Sequence, residues 1–232
     1  MSDSLAPAAR LRAVLFDLDG TILHTAPDLA GAVNDMRIER GLAPMPVEDL
    51  APLCSFGGRG MLDKGLDLQP EDEDYPAAYD AFIEAYRLRM TRDTQPYEGI
   101  RELVQSLQSQ GIAWGVVTNK AERLAVPLMD AMAFDPLPGC VVGGDTAGVA
   151  KPDPAPILLA CERMDIDPAH CIYVGDSDRD VAAGMAAGMP TIGIGYGYVP
   201  VGENAYDWPA DVVVNSVAEL ADAITRLQQR AA

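Results

Sequence analysis

Ala13-Val14-Leu15-Phe16-Asp17-Leu18-Asp19-Gly20-Thr21 is an apolar run that empties directly into two carboxylates. Four consecutive apolar residues bounded by polar ones predict a short strand buried on both faces. In open α/β sheets the ligand crevice lies outside the carboxyl ends of the strands, so such a strand delivers Asp17 and Asp19 to that crevice. The two acids are two residues apart and leave the same face if the chain stays extended. Gly20 permits a sharp departure there, and the Thr21 hydroxyl can brace the turn.

Carboxylates held this close repel each other, and a cation relieves the repulsion. Hard oxygen donors with room for water favour Mg²⁺. A carboxylate is also a competent nucleophile toward phosphorus.

Working outward, the segment after this turn is helical. Leu29, Val33 and Met36 with Ala30 and Ala32 predict a helix over 27–40 that Gly41 closes. Tyr75, Tyr79, Phe82, Ile83 and Tyr86 share one face of a second helix over 75–90, and such a stripe ordinarily faces a core. No strand pattern occurs between Gly41 and Met90. After Pro96 the texture alternates, with strands expected at 114–117, 140–142, 172–174, 191–194 and 212–214 and helices between them. Alternation of continuous apolar strands with helices predicts an α/β fold, a Rossmann-like doubly wound parallel sheet covered on both faces. The expected organisation is a core from residues 1–23 and 93–232, with 24–92 as an inserted helical cap domain.

The later strands also end in polar groups. Thr118 and Asn119 follow the second strand, supplying a hydroxyl and an amide, although either residue would also serve as a helix N-cap. Lys151 stands before Pro152 in Lys-Pro-Asp-Pro, which stiffens its backbone. The strand over 172–174 runs into Gly175-Asp176-Ser177-Asp178-Arg179-Asp180, placing Asp176 and Asp180 near the same crevice. Asp178 is accounted for by the preference of acids for helix starts. Four separate strand ends each carrying a group that phosphoryl transfer requires are not accounted for in that way.

The 232 residues are 49% hydrophobic, enough for a sizeable core. Lys and Arg total 17 against 35 Asp and Glu, a formal charge of −18. Such a surface disfavours nucleic acid and anionic membranes, and it also repels a phosphorylated substrate unless local cations reverse the sign at one place. Cys54, Cys140, Cys161 and Cys171 show no Cys-x-x-Cys pair and read as reduced thiols. Residues 1–12 lack the apolar centre of a signal peptide, so the expected location is the cytoplasm.

In order, Asp17 to Thr21, Thr118, Lys151 and Asp176 to Asp180 resemble the four motifs of the haloacid dehalogenase superfamily of phosphatases, over nearly the whole chain. The resemblance implies Asp17 as nucleophile, and Asp19 as the acid that protonates the leaving alcohol and then activates water. It implies Thr118 and Asn119 orienting phosphoryl oxygens and Lys151 offsetting charge. Asp176 with Asp17 and the Asp19 backbone carbonyl would hold Mg²⁺, supported by Asp180. The helical insertion resembles a cap that closes over such a site.

Ala26-Pro27-Asp28-Leu29, Val117-Thr118-Asn119-Lys120 and Tyr196-Gly197-Tyr198 are similar to phosphoglycolate phosphatases. Ser55-Phe56-Gly57-Gly58-Arg59-Gly60-Met61, Trp114 and Glu203-Asn204 are closer to N-acetylmuramic acid 6-phosphate phosphatases. Both substrates carry a carboxylate beside the phosphate, and Arg59 with its neighbour Gly58 is the candidate for gripping it, the alternative being a solvated arginine at a turn. His24 stands where related enzymes usually carry Asp, and Ala121 where Pro commonly follows Thr-Asn-Lys. We read His24 as a polar hinge residue, and Lys120 and His170 as surface groups.

The expected function is hydrolysis of a small carboxylated phosphate ester such as 2-phosphoglycolate, with N-acetylmuramic acid 6-phosphate as the alternative. The expected partner is a small phosphorylated metabolite, and the expected state a monomer or homodimer. A β-phosphoglucomutase-like phosphotransferase would use the same acids. A dehalogenase would not need Asp19, and a catalytically silent binding module would be expected to have lost one of Asp17, Asp19, Lys151 or Asp176.

Overall fold

The computed structural model describes residues 10–230, so the expectations for 1–9 and 231–232, including most of the leader reading, lie outside the described residues. In chain order the elements are β1 (Ala13–Phe16), β2 (Leu23–His24), α1 (Ala26–Glu39), α2 (Val47–Leu50), α3 (Gly57–Leu66), α4 (Tyr75–Arg87) and β3 (Gln95–Pro96). They continue with α5 (Ile100–Ser109), β4 (Ala113–Val117), α6 (Glu122–Met132), β5 (Val141–Val142), α7 (Ala155–Met164) and β6 (Cys171–Gly175). The chain finishes with α8 (Asp178–Ala186), β7 (Thr191–Ile194), β8 (Val212–Val214) and α9 (Val217–Arg230).

Six strands form one parallel sheet in the order β5-β4-β1-β6-β7-β8. The chain fills one side of β1 with β4 and β5, then crosses to fill the other with β6, β7 and β8. The strand order therefore reverses between β1 and β6, and a crevice opens at such a switch point beyond the strand ends.

Burial of β1 on both faces follows from its position in the middle of the sheet. Ala13 and Leu15 enter a layer with Ile157, Ala160 and Ala183 from α7 and α8. Val14 and Phe16 point the other way, toward Leu103 and Leu220 from α5 and α9. Each fully buried aliphatic or aromatic side chain here stabilises the fold by roughly 1.5–3 kcal/mol. Trp114 packs edge-on against Phe16 at 6.4 Å and against Phe134 at 5.2 Å.

Helices α1, α3 and α4 pack on one another between β2 and β3, which pair antiparallel as Leu23↔Pro96 and His24↔Gln95. This two-residue ribbon escaped the sequence reading, because a pair of residues carries no periodicity. Beside it, the buried Asp28 Oδ2 accepts from Thr94 N at 2.9 Å, Thr94 Oγ1 at 2.8 Å and Asp93 N at 3.1 Å, tying the start of α1 to the returning chain. His24 lies in this ribbon. Tyr198 Oη accepts from Ala26 N at 2.8 Å and lies within hydrogen-bond distance of His24 Nδ1, at 3.0 Å. Burial lowers the His24 pKa, in keeping with a neutral ring. The four cysteines are free and buried. Among the described residues no helix is long and apolar enough to cross a membrane.

Candidate active site

Asp17 leaves the end of β1 and Asp176 the end of β6, on either side of the switch point. Between them the chain turns through Gly20 at φ +83°, where a Cβ would lie 2.0 Å from Asp176 Oδ2. Only glycine allows both the backbone angle and that approach. Asp176 is held by Tyr198 N, which donates to Oδ2 at 2.6 Å. Asp180 sits in the first turn of α8, where Ser177 N and Oγ donate to its Oδ2 at 3.1 and 2.6 Å, a reciprocal capping box. The helix-start explanation therefore covers one oxygen of Asp180 and leaves the other for the crevice.

That second oxygen meets Lys151. The ammonium is buried, 2.6 Å from Asp180 Oδ1 and 2.9 Å from Asp17 Oδ1, and it also donates toward Val117 O and Tyr173 Oη, each at 2.8 Å. Burial opposes the charge on Lys151, but Asp17 and Asp180 together outweigh it and hold its pKa well above the ordinary lysine value. Burial pushes Asp17 up to about 6; Lys151 partly offsets this, while Asp180 adds to it. Asp176 is raised as well, first by burial and then by Asp17 and Asp180.

Asp17, Asp176 and Asp180 offer one oxygen each within 4.8 Å of one another. Three buried acids, two of which, Asp17 and Asp180, contact the Lys151 ammonium, form an electron-rich, all-oxygen donor set, which fits a hard divalent cation. The triad can hold a metal ion. The Asp19 side chain is not part of this cluster.

Thr118 is buried at the end of β4, and its Oγ1 accepts from Lys120 N at 3.2 Å, which leaves its hydroxyl hydrogen free to donate. Neither Thr118 nor Asn119 caps α6; Asp145 Oδ1 accepts from Glu122 N at 2.8 Å instead. Asn119 lines the crevice as well. Its Oδ1 accepts from Lys151 N at 2.9 Å and its Nδ2 donates to Lys151 O at 3.0 Å, so the amide fixes the Lys151 backbone and keeps a second N–H on Nδ2.

Lys120 departs from its expected place. Expected at the surface, its side chain is only 7% exposed and its Nζ lies 3.0 Å from Asp19 Oδ1. The same ammonium sits 4.6 Å from the centre of the Tyr86 ring on α4. Its position directly after Thr118-Asn119 at a strand end was the available signal. His170 is half-buried, with its Nδ1 buried and without a partner among the described residues.

These groups share a cavity of about 420 Å³ between the strand ends and the helices inserted after β2. Lys120, Lys151, Arg59, Arg123 and Arg179 line it against Asp17, Asp19, Asp176 and Asp180. Five cations against four acids make it locally positive in a chain of charge −18, the reversal that a phosphorylated ligand requires. Arg59 is exposed in the first turn of α3 and faces this space. A Cβ on Gly58 would come 2.7 Å from Tyr79, so glycine lets α3 press against α4. Arg179, which the sequence reading passed over, donates to Ser55 O, and Ser55 Oγ donates to Tyr198 O at 2.7 Å, so the turn over 51–56 is fastened to the strand-end loops. The α4 stripe is only partly core. Phe82 and Tyr86 are buried, while Tyr75 and Tyr79, stacked at 5.9 Å, wall the cavity.

A model of the haloacid dehalogenase-like hydrolase family matches residues 14–194. The chain is 37% identical over 217 residues to an N-acetylmuramic acid 6-phosphate phosphatase from Pseudomonas aeruginosa, covering 94% of this chain and 96% of that one. It is also 37% identical over 212 residues to a phosphoglycolate phosphatase from Xanthomonas campestris pv. campestris, covering 90% and 94%. In fold it is similar to a crystal structure described as a predicted phosphoglycolate phosphatase from Haemophilus somnus. The TM-score is 0.80 at 24% identity, over 92% of this chain and 98% of the other.

Proposed function

The chain belongs to the haloacid dehalogenase-like hydrolase family and is a hydrolase of phosphate monoesters, and we propose that it acts with Mg²⁺ on a small carboxylated ester such as 2-phosphoglycolate. The observation that carries this reading is the meeting of Asp17, Asp176, Asp180 and Lys151 at the sheet's switch point, beneath a locally cationic cavity.

Asp17 attacks phosphorus, forming an aspartyl phosphate as the ester P–O bond breaks and its electron pair stays on the leaving oxygen. Asp19 gives that oxygen a proton. Water then attacks phosphorus, its proton returns to Asp19, and inorganic phosphate leaves with Asp17 restored. Lys151 balances the charge on Asp17 and the transferring group, Asn119 fixes Lys151, and the Thr118 hydroxyl donates to a phosphoryl oxygen. Asp17 and Asp176, with Asp180 in support, would hold Mg²⁺ together with the Asp19 carbonyl that the family resemblance implies, and the ion would supply charge neutralisation when bound. Residues 24–92 serve as a cap that excludes water and selects the leaving group, with Arg59 gripping the substrate carboxylate.

A second reading is favoured by the size of the cavity and by the stacked Tyr75 and Tyr79. Both suit a ring-bearing leaving group such as that of N-acetylmuramic acid 6-phosphate better than a two-carbon acid. Side-by-side kcat/KM for the two esters, with and without chelator, tests both. Phosphate release from either that survives complete removal of divalent ions would refute the metal-assisted mechanism.

A further inference from the structure

Three of the cations that line the cavity, Lys120, Arg123 and Arg179, have no part in the reaction described above, and one of them touches a reacting acid. Lys120 is packed between the core and α4, its Nζ 3.0 Å from Asp19 Oδ1 and 4.6 Å from the centre of the Tyr86 ring. The same Asp19 oxygen accepts from Thr25 Oγ1 at 2.7 Å. Asp19 Oδ2 has no hydrogen-bond partner among the described residues, and Asp19 lines the cavity. Two donors on one oxygen fix the plane of the carboxyl group and leave the other oxygen as the place where a transferable proton resides.

We propose that Lys120 is a positioning residue that aims Asp19 Oδ2 at the leaving-group oxygen, and that Tyr86 holds Lys120 there only while α4 lies over the strand ends. The proposal rests on the phosphomonoesterase reading above. Lys120 differs from Lys151 in what it faces. Lys151 is surrounded by Asp17 and Asp180, the acids on the phosphorus side, whereas Lys120 touches neither and pairs with the acid assigned to the leaving group. Tyr86 is fully buried, and the centre of its ring lies 4.6 Å from the Lys120 ammonium. A buried ammonium over an aromatic face is attracted to it, so the position of α4 and the aim of Asp19 are coupled through one side chain.

A readout that a merely structural role would not move is dependence on the leaving group. An alkyl phosphate needs a proton on its departing oxygen, whereas p-nitrophenyl phosphate releases a stable phenolate without one. First-turnover rates are measured with Mg²⁺ present, as the burst of alcohol or nitrophenol, for wild type and Lys120→Met. The alkyl probe is whichever of 2-phosphoglycolate and N-acetylmuramic acid 6-phosphate the wild type cleaves. The expected result is a loss of about 10–100-fold on the alkyl ester, the scale of a misaimed general acid, with less than about threefold on the aryl ester. Tyr86→Leu should show the same selective loss, and it carries the test if Lys120→Met does not fold. Equal losses on both esters, or none on either, overturn the proposal. A wild type that cleaves neither alkyl ester is recognised before any variant is made; it removes the underlying reading, and this proposal with it.

Discussion

Replacing Lys151 with Met keeps the length of the stem and removes only the ammonium. Val117 O and Tyr173 Oη then still satisfy each other, since the hydroxyl donates to that carbonyl at 2.9 Å. Asp180 keeps the two donors from Ser177 on its Oδ2. What is stranded is the charge on Asp17 Oδ1 and Asp180 Oδ1, which lie 2.9 and 2.6 Å from the missing group. Removing one partner of a buried ion pair costs about 3–5 kcal/mol. For a chain of this size each kcal/mol lowers Tm by about 2–4 °C, so the metal-free variant should melt roughly 6–20 °C below wild type at pH 8. The sign with pH follows from Asp17, whose pKa burial already pushes up to about 6 with Lys151 present. Without the ammonium it rises further, so at pH 5 Asp17 is protonated and the penalty shrinks to about half or less. Differential scanning calorimetry in chelator at pH 5 and pH 8 measures both numbers. A Tm difference below about 2 °C at pH 8, or one that does not change between the two pH values, refutes the reasoning.

Asp17→Asn should abolish turnover, by at least about 10³-fold in kcat, because the amide cannot form the aspartyl phosphate; a variant with near-normal phosphate release in a colorimetric assay defeats the assignment. In the metal-free wild type, the raised Asp17 pKa contributes stability that is present below pH 4 and lost as pH rises through about 6, up to about 3 kcal/mol. Mg²⁺ should therefore raise Tm more at pH 8 than at pH 5, and Asp17→Asn should flatten that difference; an equal Mg²⁺ shift at both pH values contradicts the metal assignment. Arg59→Ala should lower kcat/KM more than tenfold for a carboxylated ester but not for a neutral phosphate ester, and parallel losses on the two would assign Arg59 another role.

Much of this architecture is legible in the order of residues. The runs at 13–16 and 191–194 are strands as read, and those expected at 114–117 and 172–174 are each extended by a residue or two. Their parallel arrangement follows from the helices between them. The strand expected at 140–142 is only Val141–Val142, paired with Val116 and Val117 of β4 at one edge of the sheet. The helix read to residue 90 stops at Arg87, where the chain turns back toward Thr94 and its buried anchor on Asp28. Lys120 was misread for a definite reason. Isolated lysines are usually solvated, and nothing near it in the chain shows that Asp19 and the Tyr86 ring will enclose it.

The acids and hydroxyls that reach the crevice are legible in chain order alone. A buried parallel strand has only one direction in which to discharge its chain, so acids and hydroxyls written just after β1, β4 and β6 arrive at the same rim. What those groups do to one another depends on the assembled fold. Spacing along α4 defines a face, but whether that face meets core, cavity or ammonium depends on how the inserted helices sit on the sheet. Partner choice among side chains dozens of residues apart is a matter of ångströms, which no pattern of hydrophobicity encodes. So Asn119 fixes the backbone of Lys151, and Lys120 lies between Asp19 and Tyr86 instead of in solvent.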